Sequence, residues 1–444
     1  MNHFIQTIKN IWRIEDLRFR ILMTLGLVAI YRVGSYIVLP GIDGSQLHQL
    51  EDQGGKGIFG LVNIFAGGAF TRASIFALGI MPYISASIVM QLLGMAVPAV
   101  QKLQKDESGR RTVNQYTRIL TVVVTALQAS AYVVYIKSLG AQILVSPGLF
   151  WFSTLVVLTA GTIFVMWLGE KITDKGIGNG ISLLIMVGIL ARLPFALAAE
   201  FSSRMSAGGN GGLVAFIGEI AALIGVIILV ILLVQGTRKI PVQYAKRIVG
   251  NKQYGGVRQY IPLKVNAAGV MPIIFAQALM FIPATISQFF PDSAASQGAG
   301  VFTDHTSFWY NVIFSLLIVV FTYFYTALIV NPVQMADDMK RNGGFIPGIK
   351  PGKKTADFID GIMSRITLPG SFFLALVAIL PAFAAMFGMI SDFGNFYGGT
   401  SLLIMVGVIL DTLQQIESHL LMRHYDGLMK SGRIKGRTSA ASAY

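Results

Sequence analysis

The sequence has no cysteine, few charged residues and few histidines, and each shortage excludes a class of chemistry. Because none of its 444 residues is cysteine, it forms neither disulfides nor thiolate metal sites. Charged residues make up 13% of the chain, whereas a soluble globular protein usually has about a quarter. The five histidines are scattered, and neither a Walker A phosphate loop nor an H-E-x-x-H motif is present. We therefore predict no metal site, no cofactor and no enzymatic activity.

Long apolar runs are what the sequence has in abundance, since 54% of its residues are hydrophobic. A transmembrane helix needs roughly 20 mostly apolar residues. We predict ten such spans, at 20–39, 75–94, 118–136, 149–169, 181–199, 212–235, 269–289, 307–330, 368–388 and 400–419. Strand-like alternation is absent, so these spans are expected to be helices rather than strands of a barrel. The sequence thus predicts an all-α polytopic membrane protein embedded in a lipid bilayer.

Positive charge is distributed very unequally about these spans. With the N-terminus placed in the cytoplasm, most of the 35 Lys and Arg residues fall on the cytoplasmic side. The outer loops hold only Lys56, Lys137 and Arg204. Because cytoplasmic loops of membrane proteins are enriched in Lys and Arg, we predict that both termini are cytoplasmic, with an N-terminal segment at 1–19 and a tail at 420–444.

Two short motifs occur twice. "GIMPYISAS" at 79–87 resembles "GVMPIIFAQ" at 269–277, and "GISLLIMVGIL" at 180–190 resembles "GTSLLIMVGVIL" at 399–410. The copies lie five spans apart, and because five is odd they run in opposite directions across the membrane. We therefore predict two inverted five-helix halves, at 20–199 and 200–419, with a shared pathway at their interface.

The repeated motifs also pair aliphatic side chains, with Ile84 matching Ile274 and Ile185 matching Ile404. Stiff aliphatic side chains around a constriction would expel water and block ions, as in a hydrophobic gate. Alternatively, these isoleucines are ordinary helix-packing or lipid-facing residues. The residues themselves leave both interpretations open.

Two other classes of function remain possible from the residues alone. An ion-coupled transporter of a small solute needs titratable groups near the middle of the membrane, and the spans contain Arg32, Glu219 and Asp411. Arg32 and Glu219 fall in outer halves of their spans and Asp411 near an inner end, so we expect them to snorkel or to form polar contacts between helices. A structural membrane scaffold is the third class.

The segment "GLVNIFAGGAFTRASIFALG" at 60–79 is too apolar for a loop, yet it is interrupted by Gly67, Gly68 and Arg72. Non-helical backbone at membrane depth is tolerated only where protein or a water-filled cavity surrounds it. Each glycine weakens a helix by roughly 1 kcal/mol relative to alanine. A short movable stopper fits this composition, and a re-entrant interfacial helix fits it as well.

The loops at 236–268 and 331–367, between spans 6 and 7 and spans 8 and 9, are basic. The first carries seven cations and no acid, interleaved with tyrosines. Such a loop suits contact with phosphate backbones, although positive-inside bias and lipid head groups also account for part of the charge. The cations of this loop are Arg238, Lys239, Lys246, Arg247, Lys252, Arg258 and Lys264.

Several long stretches resemble one family closely, the bacterial SecY protein-translocation channels. They run in order through the whole chain, and they include "YRVGSYIVLPGID" (31–43), "NIFAGGAFTRASIFALGIMPYISASI" (63–88), "ESGRRTVNQYTR" (107–118), "MWLGEKITDKGIGNGIS" (166–182), "PLKVNAAGVMP" (262–272) and "FIPGIKPG" (345–352).

This resemblance implies a passive channel with an hourglass pore between the two halves, closed by a short plug helix at about 61–70. The plug positions would include Leu61, Asn63, Ile64, Phe65, Gly67, Gly68 and Phe70. The pore ring would be Ile80, Ile84, Ile181, Ile185, Ile274 and Ile404. A lateral gate between spans 2 and 3 and spans 7 and 8, with Ser85 and Gln128 as polar residues, would release signal sequences and membrane segments into lipid.

The resemblance also implies partners. They are the small membrane subunits SecE and SecG, the SecA motor ATPase, the ribosome with its RNA and proteins, and secretory and membrane-protein substrates, all at the bacterial plasma (inner) membrane. The docking positions would be Arg238, Lys239, Lys246, Arg247, Lys252, Arg258 and Lys350. At Lys350 this chain departs from the typical family motif P-G-I-R-P-G, and Lys keeps the charge but lacks the planar guanidinium that makes bidentate contacts.

Overall fold

In the computed structural model, the described residues are 12, 14–43, 63–105, 107–140, 143–206, 212–244, 247–249, 252–254, 258–289 and 307–430. The helices in chain order are α1 (Glu15–Gly34), α2 (Met81–Ala96), α3 (Pro98–Lys105), α4 (Glu107–Ser138), α5 (Pro147–Lys175), α6 (Gly180–Met205), α7 (Gly212–Gln235), α8 (Met271–Phe289), α9 (Phe308–Ile329), α10 (Pro332–Arg341), α11 (Lys353–Met386), α12 (Ser391–Gly394) and α13 (Gly399–Lys430). Ten of them, all but α3, α10 and α12, overlap the ten predicted spans, which confirms the predicted helical fold class.

The ten helices differ from one another in length and in hydropathy. Among the described residues, seven are long and apolar enough to cross a membrane: α4, α5, α6, α7, α9, α11 and α13. The apolar parts of α2 and α8, Met81–Gly94 and Met271–Met280, are shorter. The first turn of α1 carries Glu15 and Asp16, which suit the positive end of the helix dipole.

The bounds of several helices differ from the predicted spans, and α2, α11 and α13 are examples. Span 2 was expected from residue 75, but α2 begins at Met81 because Pro82 lies in its first turn, where a missing N–H is tolerated. α11 begins at Lys353 rather than at 368, and α13 continues to Lys430 rather than ending at 419. These two helices extend beyond their apolar parts through polar turns that a hydropathy pattern does not detect.

The chain divides into two compact units. One unit comprises residues 1–50, 65–190 and 408–444, and the other comprises 51–64 and 191–407. In the first unit α2 and α5 pack along α4, and α1 packs along α5. In the second unit α9 packs along both α8 and α11.

A small sheet in the second unit is a feature that the apolar pattern did not predict. Strands β1 (Thr237–Tyr244) and β4 (Arg258–Lys264) pair antiparallel, and β5 (Gly344–Phe345) joins the other edge of β1. In the sequence between β1 and β4, the strands β2 (Arg247–Val249) and β3 (Lys252–Tyr254) form a separate antiparallel pair. Ile240 and Val242 alternate inward from β1 and pack in an apolar cluster with Leu263, Met339, Ile346, Ile359 and Met363.

Candidate functional site

The interrupted apolar segment after residue 62 is buried throughout its described part. Residues 63–65 are helical, the following residues form turns, and every residue from Asn63 to Phe70 is buried. Gly67 and Gly68 have φ of +65° and +85°, a region that glycine adopts at little cost. The predicted plug residue Leu61 lies outside the described residues. A segment of this composition is therefore enclosed by protein and does not lie in lipid.

The backbone of this segment rests against a glycine of α6. A Cβ added to Gly188 would lie 2.6 Å from the carbonyl oxygen of Phe65 and 3.2 Å from the amide nitrogen of Gly67. Real Cβ atoms do not approach backbone atoms so closely, so only glycine permits this contact. Gly188 follows the predicted pore-ring residue Ile185 by three residues, which is about 4.5 Å along the helix axis. The segment thus lies within one helical turn of the predicted ring.

Two further contacts hold the C-terminal side of the segment. The Tyr132 hydroxyl of α4 donates to the carbonyl oxygen of Phe70 at 2.6 Å, and the two rings meet edge to face. Beyond Phe70, the amide of Leu39 donates to the Ala73 carbonyl at 2.8 Å, and the amide of Ile75 donates to the Ile37 carbonyl at 2.9 Å. Ala73 has a φ of +46°, which an L-residue adopts only under constraint. The backbone that follows the segment is therefore held in place by hydrogen bonds.

The first pair of duplicated motifs adopts the same local geometry in both copies. Gly79 and Gly269 have φ of +53° and +64°, and each stands two residues before a helix that begins with Met-Pro. The second pair of motifs likewise begins a helix at its first glycine, at Gly180 in α6 and at Gly399 in α13. The similarity of the sequences is therefore accompanied by similarity of backbone structure.

The six predicted pore-ring isoleucines are all shielded. Ile80, Ile185 and Ile404 are each 4% exposed, and Ile84, Ile181 and Ile274 are half-buried. Isoleucines on the outer faces of the spans differ clearly, with Ile119 of α4 62% exposed. One ring position also serves helix packing, because a Cβ on Gly169 would lie 3.0 Å from Ile181 Cγ1. The three buried isoleucines therefore do not face lipid, helix packing accounts for their burial as well as a ring does, and the ring itself stays a prediction.

The predicted gate residues are both half-buried, and both lie in the first unit. The Ser85 hydroxyl donates to the Met81 carbonyl at 3.2 Å within α2, and Gln128 lies on α4, which packs along α2. In the second unit α8 packs along α9 in the corresponding way. Each predicted side of the gate is thus a packed pair of helices.

The predicted docking loops, at 236–268 and 331–367, share one sheet. Arg238 and Lys239 on β1 are exposed, and Lys350 follows β5 and is exposed as well. The Lys350 carbonyl accepts a hydrogen bond from the Thr355 hydroxyl at 2.9 Å, which ties it to the first turn of α11. The backbones of Arg247, Lys252 and Arg258 lie in strands, and Lys246 lies outside the described residues.

A buried charge cluster in the second unit was not predicted as a unit from the sequence. The Arg204 guanidinium donates from Nε to Glu200 Oε1 at 2.9 Å and from Nη2 to Glu219 Oε1 at 2.6 Å. Glu200 is 0% exposed, and its other oxygen accepts from the amide of Ile390 at 2.8 Å. The Tyr397 hydroxyl donates to the carbonyl of Glu219. The expected polar helix contact of Glu219 is therefore present, and its partner is Arg204.

The glycine-rich loop at 176–180, "GIGNG", has backbone amides that are already occupied. The amide of Ile177 donates to Thr24 Oγ1 at 3.1 Å, and the amide of Gly178 donates to Gln415 Oε1 at 2.8 Å. The amide of Gly180 donates to Thr173 Oγ1 at 2.9 Å. A phosphate loop needs free amides that converge on an anion, so this loop is a junction between helices α5 and α6.

Apolar helices, duplicated motifs and a buried segment interrupted by glycines place this protein in the class of helical membrane channels. Comparison with known proteins specifies the class further. The family model for SecY matches residues 74–413. The chain therefore belongs to the SecY family.

Relatives and solved structures agree with this membership. The protein translocase subunit SecY of Streptomyces galbus is 45% identical over 441 residues, which cover 94% of this chain and 98% of the relative. A SecY structure addressing how the plug domain stabilises the closed translocation channel and maintains a membrane seal has a TM-score of 0.61 at 18% identity, covering 96% of this chain and 95% of that chain. Sec61 in the canine ribosome-channel complex from the endoplasmic reticulum has a TM-score of 0.57 at 15% identity, with the same coverage of both chains.

Proposed function

We propose that this chain is the channel-forming subunit of a protein translocase. It passes unfolded secretory polypeptides across the membrane and releases transmembrane segments sideways into lipid. The observation that carries this function is similarity over nearly the full chain to a protein translocase subunit, at 45% identity. Translocase subunits of this family form channels and are not enzymes, in agreement with the prediction of no catalytic activity.

The pore ring is proposed to consist of Ile80, Ile84, Ile181, Ile185, Ile274 and Ile404. Support comes from the burial of Ile80, Ile185 and Ile404 and from the matched glycine dihedrals of Gly79 and Gly269, which precede α2 and α8. Branched aliphatic side chains have one strongly preferred rotamer and no polar atoms, so a ring of them repels water and ions. A ring without charge also tolerates chemically varied polypeptide side chains, which a passage for many substrates requires.

Residues 61–70 are proposed to be the plug. The burial of residues 63–70, the interruption of the helix before Gly67 and the nearness of Gly188 to Ile185 support this assignment. The helix at residues 63–65 is short and ends before Gly67 and Gly68, so the segment can move without unwinding a long helix. α2 with α4, and α8 with α9, are proposed as the two sides of the lateral gate, with Ser85 and Gln128 among its polar residues.

The sheet that joins the two basic loops is proposed to dock the partner that drives transport. A SecA motor ATPase or a ribosome would contact Arg238, Lys239, Lys246, Arg247, Lys252, Arg258 and Lys350. The ribosome is supported by the fold shared with Sec61 in a ribosome-channel complex. SecE and SecG are proposed as small membrane partners, and the bacterial plasma membrane as the location, with both termini cytoplasmic.

Site-specific photocrosslinking to a stalled secretory chain tests this function. A photoreactive amino acid at Ile185 should crosslink to the stalled chain, because that side chain would line the pore. The matched control is the same amino acid at Ile119, which is 62% exposed on the outer face of α4. Crosslinks of equal yield at both positions, or none at Ile185, would overturn the proposed pore.

A further inference from the structure

Arg32, a charged residue within a predicted span, has a partner in the proposed plug. It lies in the last turn of α1 and is half-buried. Its Nη1 donates to the carbonyl oxygen of Gly67 at 3.2 Å. Ionisable residues inside membrane spans are costly and usually mark function. The role of this arginine is therefore to be sought at the plug.

The helix dipole explains only in part why an arginine lies at position 32. A cation in the last turn of a helix interacts favourably with the helix dipole. That interaction does not require a bond to a carbonyl 35 residues away in the chain. It also does not require Gly67 to fit between Arg32 and α6, where a Cβ would lie 2.6 Å from Arg32 Nη1 and 2.9 Å from Gly188 Cα. The plug backbone is held between a guanidinium on one side and a helix on the other.

The guanidinium of Arg32 is itself oriented by a tyrosine. Nη2 of Arg32 donates to the Tyr36 hydroxyl at 3.4 Å, and Arg32 Cζ lies 5.5 Å from the centre of that ring. Arg72, which follows the plug segment, stacks over the same ring with Cζ 4.5 Å from its centre. A ring that faces two guanidiniums restricts where Arg32 can point, and it links Arg32 to Arg72, which follows the segment.

We propose that Arg32 is a positioning residue that latches the plug in its closed seat, an inference that rests on the proposed function of the segment. A hydrogen bond from a charged donor is stronger than one between neutral groups, and more so away from water. Opening the channel must exchange this bond for another partner. The strength of the latch therefore sets how often the plug leaves its seat when no substrate is present.

The absence of native cysteine permits a direct measurement of plug release. Ala66 is 1% exposed, so a lone cysteine introduced there in the full chain should react slowly with a maleimide while the plug is seated. In the A66C background, R32M should raise the labelling rate about tenfold, a change that corresponds to about 1.4 kcal/mol. R32K keeps one charged donor and should raise it less. R192M, which removes an in-span arginine that pairs with Asp392 at 3.7 Å, is the control and should leave it unchanged.

Resting ion conductance in planar bilayers separates the latch from the plug. R32M should raise conductance in the full chain but should add nothing when residues 61–70 are deleted, because it acts through them. If R32M leaves both labelling and conductance unchanged, or still raises conductance in the deletion variant, the latch is refuted. If the deletion itself leaves conductance unchanged, the plug assignment fails, and faster labelling in R32M would then show only that Arg32 holds this segment in place.

Discussion

At the scale of single residues, glycine decides how closely two backbones approach. Gly188 of α6 and Gly407 of α13 occupy matching positions in the duplicated motif, yet their surroundings differ. A Cβ on Gly188 would meet the backbone of Phe65, whereas a Cβ on Gly407 would meet the end of the Val270 side chain at 3.3 Å. A single methyl group at 3.3 Å has to move by only a few tenths of an ångström, whereas the Phe65 carbonyl at 2.6 Å can move only together with its backbone.

Gly188→Ala should therefore open the channel at rest. Alanine is the better helix former by roughly 1 kcal/mol, so α6 itself should not be weakened. Overpacking of about 1–3 kcal/mol against the plug backbone should raise resting conductance in planar bilayers about tenfold. Gly407→Ala supplies the matched control and should leave the conductance close to that of the unmodified chain. Equal conductance of both variants would contradict the proposal that Gly188 holds the backbone of the plug in its closed position.

At the scale of secondary-structure elements, the buried cluster of Arg204, Glu200 and Glu219 connects three pieces of the second unit. It joins α6 to α7 and, through the amide of Ile390, to the segment that follows α11. A buried charge without its partner costs much more than the pair contributes. The cluster therefore restrains this segment.

Arg204→Met should destabilise the protein by about 3–5 kcal/mol, because it leaves two buried carboxylates without their cation. The control is Arg118→Met, which removes an exposed pair with Glu170 at 2.8 Å and should cost at most about 1 kcal/mol. Thermal unfolding of the detergent-solubilised protein compares the two. Similar melting temperatures for both variants would show that the buried cluster contributes no more than a surface pair.

At the scale of the whole molecule, the sheet that joins the two basic loops is the proposed docking surface for a partner that drives transport. The two basic loops meet in a single sheet through the pairing of β1 with β5. One partner surface can therefore contact both loops at once. Arg238, Lys239 and Lys350 present exposed charge there.

Reversing charge on this sheet should impair partner-driven export without unfolding the chain. Arg238→Glu combined with Lys350→Glu should reduce export of a secretory reporter about tenfold or more, because each reversal replaces attraction to a complementary surface with repulsion. The control is Lys137→Glu, an exposed residue in the last turn of α4 that belongs to a predicted outer loop. Export by this variant should be normal. Export that is equally impaired in all variants would indicate a general defect and would count against docking at the sheet.

Much of the candidate site was predictable because its signals are local in sequence. The interruption at Gly67 and Gly68 and the duplicated Gly-x-Met-Pro and Gly-x-Ser motifs lie within short windows. The contacts that hold the proposed plug were not predictable in this way. Arg32, Tyr132 and Gly188 are separated from the plug by tens of residues or more, and nothing in their own neighbourhoods specifies which backbone each one contacts.

The sequence by itself determined that this protein is a helical membrane protein with ten spans in two related sets, because lipid requires long apolar runs and excludes unpaired backbone groups. The tertiary structure alone decided which polar and small residues meet. It placed the guanidinium of Arg32 on the Gly67 carbonyl, paired Arg204 with two acids and joined two basic loops through β5. The physical reason is that hydropathy acts along the chain, whereas hydrogen bonds and close backbone contacts depend on how distant helices pack.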